Sequence, residues 1–172
     1  MSQVYNCPRE ADVIRAFFGA PPNAGNEPVI SNTNSVTNRT QVVVFQTSAM
    51  TGVSGGVMIN RKDEAGVIQR TSNLQSNRAI AFTVQDDSNP AYRTRDILGV
   101  NPAAPAIDGD DCLFVRDPDA AVIEGIVRNL VKKLDDGWIV KLAGQQEDRP
   151  NHKLNRAEFP QAWRIAVRHL RG

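Results

Sequence analysis

Gly52-Val53-Ser54-Gly55-Gly56 is the one stretch of this chain whose spacing matches an enzyme nucleophile, the Gly-x-Ser-x-Gly elbow of serine hydrolases. That elbow needs a strand before the serine and a helix directly after it, so that the next backbone amide can stabilise an oxyanion. A β-rich run precedes it, but Gly56-Val57-Met58-Ile59 reads as a further strand rather than a helix. His152, a candidate general base, falls in a polar stretch with no special neighbours. Ser54 is therefore expected in a hairpin connection, and a small hydrolase is the last of three functional readings.

Other groups that could hold a ligand are scattered. Asp108-Gly109-Asp110-Asp111, with Asp86-Asp87, offers oxygens to a hard cation such as calcium, but the order lacks the closing glutamate of an EF-hand loop. It reads as an acidic, solvated corner. Cys7, Cys112, His152 and His169 share no zinc-ligand spacing. Cys112, at the start of an apolar run, reads as a small buried hydrophobe, and a chain of this length has no need of a Cys7–Cys112 staple. No Walker loop and no dinucleotide fingerprint occurs. Neither a metal, a cofactor nor a small-molecule substrate is expected.

Two regions suit macromolecular contact. Arg164, Arg168, His169 and Arg171, preceded by Arg149, His152, Lys153 and Arg156, form the densest positive region. They could meet phosphate, with release of counterions, or an acidic protein surface. The whole chain gives little electrostatic steering: 20 Lys and Arg stand against 19 Asp and Glu, a formal charge of +1. The second region is the segment Ala20–Gln41, rich in Asn, Pro, Ser and Thr. It cannot bury enough apolar surface to offset its ordering entropy, about 1–2 kcal/mol per residue, so its order is expected to come from neighbouring subunits. Asn23, Asn26, Asn32, Asn34 and Asn38, with Arg164, Arg168 and Arg171, are the candidate partner-binding residues.

The elements that must position these groups read as one α+β domain over 1–172. Pro8 to Phe18 carries a helical stripe within an N-terminal helix (1–19), followed by the extended arm (20–41). Over 42–85, β-branched runs suggest an antiparallel meander: Gln41–Thr47, a hairpin of Val57–Arg61 and Val67–Thr71 around Lys62–Gly66, and Arg78–Gln85. An extended loop (86–111) follows, with a helical turn near Thr94–Leu98. Residues 112–142 read as strand–helix–strand. The helix begins at Asp117-Pro118, and Ile123, Ile126, Val127, Leu130, Val131 and Leu134 recur at helical spacing. A polar loop and a last helix over Glu158–Leu170 complete the chain (143–172). The sheet is expected open, or curled into a small sandwich or barrel, with the long helix packed on it.

With 6% aromatic residues, platforms for stacking bases are few. The N-terminal ten residues resemble no export signal and no run approaches a membrane span, so synthesis in the cytoplasm is expected and no membrane partner is. Together these features favour a structural subunit of a large homo- or hetero-oligomer, a virus or bacteriophage particle component in capsid, head-to-tail connector or tail. The alternative is a nucleic-acid-binding or regulatory module using the basic C-terminal helix.

Overall fold

Valine, isoleucine, threonine and aromatic residues fill the runs between turns, and side chains of that shape fit pleated backbone better than helix. The computed structural model describes residues 40–144 and 150–170. Nine strands run through them: β1 (Gln41–Ala49), β2 (Gly56–Gln69), β3 (Ile80–Thr83), β4 (Ile97–Asn101), β5 (Asp111–Val115), β6 (Val122–Leu134), β7 (Gly137–Lys141), β8 (His152–Asn155) and β9 (Gln161–His169). A single 3-10 turn, Ser72–Leu74, is the one helical element among the described residues. They include no helix long and apolar enough to cross a membrane.

Seven strands make a ring in the order β2, β1, β3, β4, β9, β5, β6, and pairing of β6 (Val122–Ile126) with β2 (Gly56–Asn60) closes it. β1 and β3 are parallel and every other ladder is antiparallel. β7 and β8 continue the sheet from the far half of β6.

All seven ring strands send side chains into one core, including Phe45, Ile59, Phe82, Leu98, Leu113, Ile123 and Trp163. Outside the ring, Leu74 of the 3-10 turn covers Val42, Val44, Ala81 and Ile97. On another flank Cys112, Phe114, Ile126 and Leu130 pack with Trp138, Val140 and Phe159, the Phe114 and Trp138 rings meeting edge to face at 5.7 Å. The barrel wall is thus apolar on both faces over much of its circumference.

This double burial overturns the α+β expectation and its long packed helix. The stripe Ile123, Ile126, Val127, Leu130 belongs to β6: Ile123 and Val127 face the barrel core, and Ile126 and Leu130 face the outer cluster. Alternate residues of a strand point to opposite sides, so a strand buried on both faces can mimic the i, i+3, i+4, i+7 spacing of a helix. Gly125 at its centre pairs with Val57 on one side and Val115 on the other. The region 112–142 is therefore three consecutive antiparallel strands.

The helix expected over Glu158–Leu170 is likewise a strand, β9, with Pro160 just before it, outside the ladder where its missing N–H costs nothing, and β8 lies within the expected polar loop. The expected helical turn at Thr94–Leu98 and the loop around it give way to β4, which pairs with β3 and β9. The expected hairpin of Val57–Arg61 and Val67–Thr71 is instead one strand, β2, which ends at Gln69. β1 is long enough to pair with both halves of β2, and the surplus Asn60–Asp63 lies between the pairs Thr47↔Ile59 and Phe45↔Glu64. That irregularity is closed by Asn60 Nδ2 donating to Asp63 Oδ2 (2.7 Å) and Lys62 N donating to Asn60 Oδ1 (3.0 Å). The meander fails too, since β3 joins the far edge of β1 in parallel. The N-terminal helix and the arm as far as Arg39 lie outside the described residues.

Candidate functional site

Ser54 lies exposed in the connection between β1 and β2, and the chain enters β2 two residues later. Gly55 has φ +64°, a left-handed turn position, and its amide donates to Ser88 Oγ at 2.8 Å while its carbonyl accepts from Val127 N. The amide that a nucleophile elbow would aim at an oxyanion is already bonded. His152 sits on β8 and His169 on β9.

Asp86, Asp87, Asp110 and Asp111 are occupied by donors from the protein itself. Asp87 accepts from Thr94 N (2.6 Å) and Thr94 Oγ1 (3.0 Å), bonds that hold its carboxyl below the usual value. Asp86 accepts from Ser88 N and Oγ. Asp110 accepts from Ile107 N and pairs with Arg164 at 3.1 Å. Asp111 takes the Tyr92 hydroxyl at 2.6 Å and Asn129 Nδ2 at 2.9 Å. Among the described residues no group of three or more His, Cys, Asp or Glu is placed to hold a metal ion.

Arg164 and Arg168 stand on β9, not on a helix; the strand bulges between Ile165 and Val167, so Arg164 lies opposite Asn101 and Cys112 on the outer side while Arg168 lies opposite Leu98 on the core side. Arg168 bonds Oδ2 of Asp96 through Nη2 (2.6 Å) and Nε (2.9 Å), and its guanidinium lies 5.3 Å from the Tyr92 ring centre. Asp96 is 3% exposed. Both arginines are thus neutralised within the chain. Arg171, Arg149 and the five asparagines Asn23, Asn26, Asn32, Asn34 and Asn38 lie outside the described residues.

Tyr92, Asp110, Asp111, Asn129 and Arg168, with Lys141, border an open cleft of about 760 Å³. Burial, then the bond to Asp111, pushes the Tyr92 phenol well above its ordinary value of 10.0. Burial, then the charges of Asp110 and Asp111, pushes the free Cys112 thiol up to about 12. A protonated phenol, an inert thiol and paired carboxylates brace the wall; none is presented as a base or nucleophile. Tyr92, Asp96 and Asn129 were not singled out by sequence, because partners 18 to 72 residues apart leave no local pattern.

The remaining feature is an open strand edge. Past Asn60, β2 pairs only with β1, so the other side of Lys62–Gln69 faces no strand among the described residues. Val67 there is 53% exposed. The second edge, β8, is four residues long, carries His152 and Lys153, and follows Pro150, features that discourage pairing. The β2 edge is longer and free of proline.

No protein-family model and no curated protein sequence matches this chain.

Proposed function

We propose that the chain is a structural subunit of a larger protein assembly, acting through contacts between copies of itself or with other structural proteins. The observation that carries this reading is the open β2 edge on an otherwise closed barrel. Closure removes edges, and an unpaired edge with an exposed valine is a template for another chain. The absence of a prepared nucleophile or base among the described side chains fits the same reading. A virus or bacteriophage particle, in capsid, connector or tail, is the setting we assign to it, with synthesis in the host cytoplasm. The nucleic-acid alternative is weaker, since Arg164 and Arg168 are already paired with Asp110 and Asp96.

Sedimentation velocity over two decades of concentration, with negative-stain imaging of the largest species, tests this. A defined multimer is expected. A monomer at every concentration, together with steeply salt-dependent binding of DNA or RNA, would replace the proposal with the alternative.

A further inference from the structure

The β2 edge also specifies a partner and a register. Arg70 N donates to Thr40 O, its direct opposite, so Ile68 and Gly66 also turn their N–H and C=O toward β1. Val67 and Gln69 then turn theirs outward. A second β2 strand running antiparallel to the first must bring outward residues opposite outward residues, which excludes every register shifted by one position.

We propose that two copies of the chain join through this edge about a two-fold axis passing between the two Val67 residues. This rests on the assembly reading above and names its contact. In that register Val67 faces Val67 of the second copy and Gly66 faces Ile68, while Ala65, the extra residue between the pairs Val44↔Gly66 and Phe45↔Glu64, ends the regular alternation. The exposed valines cover one another, a favourable β-branched pair. Each copy presents the same Val67 to the other, as an isologous contact requires. Moving the axis to Ile68 would set Val67 against Gln69, and moving it to Gly66 would set Val67 against the bulge at Ala65, so of these registers the Val67 axis alone pairs the exposed valines.

The test uses the full chain in two forms. Val67→Pro removes an outward N–H and no bond to β1; we expect a parent-like circular dichroism spectrum and loss of the two-fold contact in sedimentation. With Cys7 replaced by serine, Val67→Cys should form an intermolecular disulfide on mild oxidation. Residues opposite each other in a hydrogen-bonded antiparallel pair have Cα atoms about 5.5 Å apart, within the disulfide range of roughly 4.4–6.8 Å. Ala65→Cys should remain uncrosslinked. If Val67→Pro assembles like the parent, or Ala65→Cys crosslinks and Val67→Cys does not, the edge and register are wrong while assembly stands. A parent that never leaves the monomer overturns both.

Discussion

Tyr92 shows how one side chain ties distant parts of the wall together: its ring packs in the barrel core, its hydroxyl bonds Asp111 on β5, and Arg168 of β9 lies across its face. The phenol is held protonated, chiefly by burial. Its folded pKa lies above the unfolded value near 10.0, so its stabilising contribution is complete below that pH and is lost as the pH rises beyond it. Ultraviolet titration of the native protein should therefore show the same phenolate amplitude at pH about 10 in the parent and in Tyr92→Phe. A smaller amplitude in the variant would mean that Tyr92 ionises freely and that the Asp111 bond is not made. The Arg168–Asp96 pair works on the same principle, because a carboxylate buried this deeply is tolerated only with its cation present.

At the scale of elements, β6 carries most of the argument. An ideal Cβ on Gly125 would come within 2.8 Å of both Leu113 Cδ1 and Phe114 O. Gly125→Ala should therefore overpack the wall and cost about 1–3 kcal/mol, whereas the same change inside an exposed helix face would stabilise by up to about 1 kcal/mol. The denaturation midpoint of this variant separates strand from helix by sign. The signs of strand were present in the sequence: Val122, Ile123, Ile126, Val127 and Val131 are β-branched, and Gly125 and Asn129 are poor helix formers. Helical spacing outweighed them because burial on both faces erases the alternation that marks a half-buried strand. β1, β3, β5 and β7 were legible as strands, since compact β-branched or aromatic runs stand between turn residues. Pairing was not, because the parallel β1–β3 ladder and the β2–β6 closure join segments far apart in sequence. Of the candidate site residues, Arg164 and Arg168 were noticed for their charge, while their pairing with Asp110 and Asp96 was visible only in the fold.

On the scale of the whole molecule, the ring leaves the outer half of β2 as the place where another chain can continue the sheet. Residue-resolved amide exchange of the full chain, at concentrations above and below its assembly threshold, examines that claim directly. The amides of Gly66 and Ile68, bonded to β1, should be protected under both conditions. Those of Val67 and Gln69 should exchange freely in the dissociated protein and become protected on assembly, as they acquire acceptors in a second copy. Free exchange of Val67 and Gln69 in a protein shown to be assembled would contradict the account.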